Sequence, residues 1–220
     1  MNYDWQQELA VPVADTTLTG ELAVPAGARA LVLFAHGSGS SRRSPRNRQV
    51  ARALQQHGIG TFLFDLLTPA EDALAANRFD IALLADRLVA ATDFLDAQPA
   101  IRGFEMGYFG ASTGAAAALA AAARRPESIL AVVARGGRPD LAGPALLRVQ
   151  AATLLLVGGL DEEVLALNRR ALAALHCAKY LAVIPGATHL FEEPGTLEQV
   201  GALAADWFSK YLLPVPFLTR

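Results

Sequence analysis

Gly110-Ala111-Ser112-Thr113-Gly114 limits the possible folds more than any other stretch of the chain. Met106-Gly107-Tyr108-Phe109, just before it, is short and largely apolar and reads as a buried strand. Ala115 to Ala123, just after it, is almost pure alanine and reads as a helix. Ser112 therefore falls at a strand-to-helix turn with a glycine two residues away on each side, the setting a nucleophile elbow requires. Such a turn strains the serine backbone and projects its hydroxyl above the sheet. The flanking positions must be small so that strand and helix can approach. The helix starts at once, so its first amides point at the same place.

The 220 residues make one domain spanning 1–220, large enough to bury roughly 70% of the unfolded surface. Hydrophobic residues make up 53% of the chain and charged ones 18%, which suffices for a full core. A net charge of −2 gives no sign of a nucleic-acid or membrane-surface partner. The single cysteine, Cys177, excludes an intramolecular disulfide and fits a reducing, cytoplasmic compartment. Met1-Asn2-Tyr3-Asp4-Trp5 does not read as a signal peptide, and no stretch reads as a membrane span.

The rest of the chain alternates. Glu8 to Val13 and Leu18 to Pro25 read as an antiparallel pair at a sheet edge, joined near Asp15-Thr16. Ala30 to Ala35, Thr61 to Phe64, Leu130 to Ala134, Thr153 to Val157 and Tyr180 to Ile184 read as buried strands. Helices are expected over Pro45 to His57, Phe79 to Ala97, Leu165 to Leu175 and Thr196 to Tyr211. A short one is expected within Leu141 to Val149, and a loose segment after Asp65. Leu84, Leu88, Ala91 and Leu95 share one face of the second helix. Thr196 is a cap candidate, with Leu203 and Trp207 facing inward. The pattern implies an α/β fold, with a mostly parallel central sheet covered by helices on both faces. Ligands then bind beyond the carboxyl ends of the strands.

A serine hydroxyl needs a base, and the base needs an orienting acid. His57 and His176 lie near helix ends and suit a surface or capping role, and His36 suits backbone bonding. His189, in the loop after the last strand, is the base candidate. Asp161 follows the penultimate strand on a Gly-Gly turn and is the acid candidate, with an N-cap as its plainer role. Asp140 is the runner-up, Asp65 reads as a cap or loop anchor, and Glu192 and Glu193 follow His189 too closely. The order Ser112, Asp161, His189 is the order this elbow expects. Two oxyanion donors are required. The candidates are the amides of Thr113 and of Ser38, the latter in the loop His36-Gly37-Ser38, whose Gly37 would also line the substrate. No metal-ligand cluster, phosphate loop or dinucleotide fingerprint is present, so no cofactor is inferred.

These pieces resemble the α/β-hydrolase superfamily, especially its dienelactone-hydrolase-like branch. The resemblance rests on His36-Gly37-Ser38-Gly39, Gly110-Ala111-Ser112-Thr113-Gly114, Gly158-Gly159-Leu160-Asp161 and Pro185-Gly186-Ala187-Thr188-His189-Leu190-Phe191. It implies the α/β-hydrolase fold and a Ser112-Asp161-His189 triad. Dienelactone hydrolases use a cysteine nucleophile, and here the elbow holds Ser112, so the expectation is a serine esterase. Only Arg135 to Ala152 separates two successive strands, which leaves no room for a large lid and favours small soluble esters. A lactone or thioester substrate, and a non-catalytic small-molecule-binding role, remain the alternatives; oligomeric state is not legible. Arg42, Arg43, Arg46, Arg48, Arg135 and Arg138 emerge on the side of Ser112. Most arginines are solvated surface. Arg135, at a strand end, is the one expected to bind a substrate carboxylate.

Overall fold

Ala30–Ala35 (β3) sends Leu31, Leu33 and Ala35 into one apolar cluster and Ala30, Val32 and Phe34 into another. All six are buried, as a strand covered on both faces requires. In the computed structural model, which describes residues 1–14 and 16–213, β3 lies inside an eight-stranded sheet. Its other strands are Tyr3–Val13 (β1), Thr16–Pro25 (β2), Gly60–Phe64 (β4), Glu105–Ala111 (β5), Ile129–Arg135 (β6), Ala152–Gly158 (β7) and Lys179–Ile184 (β8). The spatial order is β1-β2-β4-β3-β5-β6-β7-β8. β1 pairs antiparallel with β2, and β2 antiparallel with β4; all later neighbours are parallel. The expected antiparallel opening at an edge is thus present, while Asp15 lies outside the described residues.

Pro45–Gln56 (α1) and Thr196–Leu212 (α5) cover one face, where Val50, Leu54, Val200 and Phe208 pack on Val32, Phe34 and Phe109. Ile81–Asp96 (α2) and Thr113–Ala122 (α3) cover the other, joined by Glu162–Ala174 (α4) through Ala171. Leu84, Leu88, Ala91 and Leu95 are the buried face of α2, as the spacing predicts. α3 is alanine-rich because it is buried on nearly every side, and small side chains let it press against both sheet and neighbouring helix.

Several boundaries differ from expectation. β1 begins at Tyr3 rather than Glu8; its first residues are mostly exposed, so they carry no alternating signal. The segment after Asp65 is not loose. Thr68 and Glu71 form a capping box on a single turn, Pro69–Asp72, and a 3-10 turn follows at Asn77–Phe79. α2 starts at Ile81 because the Asp80 carboxylate accepts from the Leu83 amide at 3.0 Å. Thr196 is not the cap of α5: Gly195 holds that position, and the Thr196 hydroxyl donates to the Glu193 carbonyl at 2.7 Å. Leu203 and Trp207 are half-buried rather than core, which Val200, Ala204 and Phe208 supply. Between β6 and β7 there is only a 3-10 segment, Pro139–Arg148, kinked at Gly143, and no large lid. Among the described residues no helix is long and apolar enough to cross a membrane.

Candidate active site

Ser112 joins β5 to α3 with φ 52° and ψ −121°, a region that non-glycine residues rarely occupy. Its surroundings enforce that strain. A Cβ on Gly114 would lie 2.1 Å from the Ala35 carbonyl oxygen, and one on Gly110 would lie 2.5 Å from Ala115 Cα. One on Gly37 would lie 3.0 Å from Ser112 Cβ. The glycines therefore let β3, β5 and α3 close around the serine. Ser112 accepts no cap role: its side chain makes no hydrogen bond to the helix.

Asp161 occupies the N-cap position of α4, yet its carboxylate does not cap that helix. It accepts instead from His189 Nδ1 at 2.6 Å. This fixes the tautomer, leaving Nε2 with a lone pair. The loop carrying His189 is itself tied down. Glu193 accepts from the Thr188 amide at 3.1 Å and from the Thr188 hydroxyl at 2.6 Å, and those bonds hold its carboxyl below the usual range. Phe191 takes φ 55° and is buried under the loop. Gly158, before Asp161, must be glycine for a similar reason: a Cβ there would sit 2.4 Å from the Ala187 carbonyl oxygen. Asp140 is elsewhere engaged, receiving both ends of the Arg138 guanidinium at 2.9 and 2.8 Å.

Ser112 and His189 line one cavity of about 250 Å³, together with Gly37, Ser38, Asn47 and Arg135. No hydrogen bond joins the serine to the histidine, which is common in unliganded sites, where such contacts tighten on binding. The Ser38 amide donates to the Thr113 hydroxyl at 2.9 Å, so the two residues expected to cradle an oxyanion touch each other. The Thr113 amide opens α3, where no carbonyl of the helix precedes it. A larger depression, about 560 Å³, runs along β1, β2 and α1 and contains none of these residues.

His36 is structural. Its Nδ1 bonds the Gly37 carbonyl at 3.0 Å and its Nε2 accepts from the Leu66 amide at 3.0 Å, so the ring is neutral. Burial pulls its pKa below the ordinary 6.5. The unfolded chain then binds a proton that the folded one refuses. His36 therefore contributes stability that is complete above pH ~6.5 and is lost as pH falls from there toward the lower folded pKa. Urea midpoints are expected to be level from pH 8 to 7 and to decline below pH ~6.5. His36→Gln should flatten that decline. Glu71 and Glu193, which lie below their ordinary 4.5, contribute only at lower pH.

The arginines separate on inspection. Arg42 pairs with Asp65 and with Glu8, Arg46 with Glu192 at 3.0 Å, Arg48 with Glu21 at 2.6 Å, and Arg138 with Asp140. Of the two roles expected of Asp65, cap or loop anchor, it takes the second, accepting from the Arg42 amide and guanidinium. Arg135 is buried and has no acidic partner among the described residues. Burial, with Arg46 nearby, lowers its pKa to about 10, which leaves it charged at neutral pH. Two residues here escaped the sequence reading. Asn47, between Arg46 and Arg48 in the sequence, is buried and accepts from Arg135. Phe191 stacks its ring 5.9 Å from the Arg135 guanidinium. The signal for Asn47 was its spacing: it shares the inward face of α1 with Val50, Ala51 and Leu54.

Comparison with known proteins agrees with this geometry. No family model matches the chain. Two Mycobacterium tuberculosis proteins, each bearing the provisional name phosphoribosyl transferase, are 56% identical over 206 residues, 94% of this chain. The chain spans 46% of their length, so they are about twice as long. A lidless α/β serine hydrolase from Xanthomonas campestris shares the fold, with a TM-score of 0.78 over 97% of this chain and 98% of that one at 20% identity. The crystal structure of a dienelactone hydrolase from Anabaena variabilis superposes with a TM-score of 0.92 at 54% identity, covering 96% of this chain and all of that one. On that likeness along the full length of a solved relative, the chain belongs to the dienelactone-hydrolase-like branch of the α/β-hydrolase family.

Proposed function

We propose that this chain is a serine hydrolase that cleaves small, soluble carboxylic esters through an acyl-enzyme. The observation that carries the reading is the Asp161–His189 bond beside a serine held at φ 52°. His189 Nε2 takes the proton of the Ser112 hydroxyl as its oxygen attacks the ester carbonyl. Asp161 holds the ring and stabilises the imidazolium that forms. The oxyanion is received by the Thr113 amide at the start of α3 and by the Ser38 amide, which exchanges its Thr113 hydroxyl acceptor for the substrate oxygen. The imidazolium then protonates the leaving alkoxide, and the ester C–O bond breaks. Water, deprotonated by His189, attacks the acyl group; Ser112 leaves and recovers its proton.

The open cavity and the absence of a large lid support a small substrate over a lipid aggregate. Cys177 lies before β8, at the opposite end of the sheet, where its thiol faces Thr153 at 3.7 Å. That supports serine over cysteine as the nucleophile. The transferase name of the mycobacterial relatives belongs to proteins twice this length. The cavity here presents a serine with an Asp–His pair, equipment for acyl transfer to water. A fluorophosphonate tests the reading. Peptide mass spectrometry is expected to find one adduct, on Ser112, together with loss of 4-nitrophenyl acetate hydrolysis. An adduct on Cys177, or full activity in the labelled protein, would overturn it.

A further inference from the structure

The two edges of the sheet are built differently. β1, at one edge, carries the devices that keep a free strand from pairing. Its register slips between Tyr3 and Trp5, Asp4, Gln6, Gln7 and Glu8 are exposed along it, and Pro12 lies near its end. β8, at the other edge, has none of these past its first residue, Lys179. Tyr180-Leu181-Ala182-Val183-Ile184 is uncharged, free of proline and in unbroken register on β7. Tyr180 is 59% exposed and Val183 41%.

Only half of the β8 backbone is used. The carbonyls of Ala178 and Ile184 accept from the amides of Thr153 and Gly159, on the β7 side, each at 2.8 Å. In a parallel ladder alternate residues serve the same neighbour, so Leu181 and Val183 turn their N–H and C=O groups outward. Among the described residues no strand pairs with that side.

Helix α4 lies over this edge with a polar order of its own. Its inner flank looks along the sheet: Ala171 joins the cluster under α3, and the charge of Glu163 acts on Arg138 after β6. On the other flank Leu172, like Leu181 of β8, packs against the cluster around Leu155. Glu162 and Arg169, two turns apart, share that outer flank. Both are exposed, and neither has an ion-pair partner among the described residues.

We propose that the free edge of β8 is a self-association surface, through which two copies of this chain join their sheets about a two-fold axis. The axis stands normal to the sheet, so β8 meets its copy antiparallel and each face continues across the join. In the register centred on Ala182, Leu181 of each copy exchanges backbone hydrogen bonds with Val183 of the other. Tyr180 then stands opposite Ile184, and only apolar side chains meet across the seam. The same rotation lays the two α4 helices antiparallel. The acidic start of one lies toward the basic second half of the other, which brings Glu162 to Arg169 of the second copy and Arg169 to its Glu162. This charge order favours a second copy over an unrelated strand.

Sedimentation velocity of the wild type, from low micromolar to near-millimolar concentration, is expected to show a concentration-dependent species of twice the chain mass. Val183→Lys places a charge on an exposed edge position and should leave the circular dichroism unchanged while abolishing that species. Glu162→Arg and Arg169→Glu should each raise the dimer dissociation constant by roughly ten- to a hundredfold, since each meets its symmetry mate as well. The double swap regenerates both pairs and should bring the constant back to near the wild-type value. Hydrogen exchange at the Leu181 amide gives a readout that needs no variant: it should be slow in the concentrated wild type and fast on dilution. A wild type that stays monomeric at near-millimolar concentration overturns the proposal. So does a dimer that survives Val183→Lys or leaves the Leu181 amide unprotected. A double swap no better than the single variants overturns the antiparallel register.

Discussion

Ser112→Ala is expected to lower kcat for 4-nitrophenyl acetate by on the order of 10³-fold or more. The substitution removes one oxygen and leaves the elbow, the Asp161–His189 bond and the cavity in place. Alanine has no hydroxyl through which an acyl-enzyme can form, so the residual rate comes from the oxyanion donors and binding alone. The alanine protein should melt no lower than the wild type, because the Ser112 side chain makes no cap bond and pairs with no other side chain among the described residues. Steady-state kinetics with mass spectrometry to exclude wild-type contamination is the measurement. Turnover within tenfold of wild type would move the nucleophile elsewhere.

Asp161→Asn should also cost heavily, on the order of 10⁴-fold in kcat, the size of this effect in a serine triad. The asparagine keeps the shape but can offer its amide N–H to His189 Nδ1. That favours the tautomer whose Nε2 carries the proton and cannot take one from Ser112. Asp140→Asn is the internal control. Asp140 is committed to Arg138, so its loss should change kcat by no more than a few-fold. The reverse ranking of the two variants would place the orienting acid after β6 rather than after β7.

How much of this was legible in the sequence depends on how far each feature reaches along the chain. The buried strands were plain because both faces are covered, so Leu31-Val32-Leu33-Phe34 and Thr153-Leu154-Leu155-Leu156 show as unbroken apolar runs. The elbow was plain because Gly110 and Gly114 are demanded by contacts within a few residues, or just across the sheet. Asp161 and His189 could be chosen by position alone, since parallel strands deliver their ends to one side. What stayed hidden depended on distant partners or on very short elements. The turn at Pro69–Asp72 is too short for any period to show. The first residues of β1 are exposed at an edge. The fate of the arginines turned on acids far away: Glu192 lies 146 residues from Arg46, and Glu21 lies 27 from Arg48. Only the folded chain shows that these pairs exhaust the local carboxylates and leave Arg135 alone.

Each of the three residues of the proposed triad leaves a different strand. Ser112 follows β5 and Asp161 follows β7. His189 comes after β8, the outermost strand on that side. The Asp161–His189 bond spans 28 residues and depends on the loop after β8, a strand held in place by its pairing with β7. On the proposed mechanism, a chain that had built β1 to β7 and α1 to α4 without β8 would hold an inert serine. Its chemistry would switch on with the last strand of the sheet, so reactivity in a nascent or refolding population would count finished molecules and ignore collapsed ones. The same arrangement makes the edge strand the weak point of the chemistry. Fraying of β8 would silence the serine while most of the hydrophobic interior stayed shut.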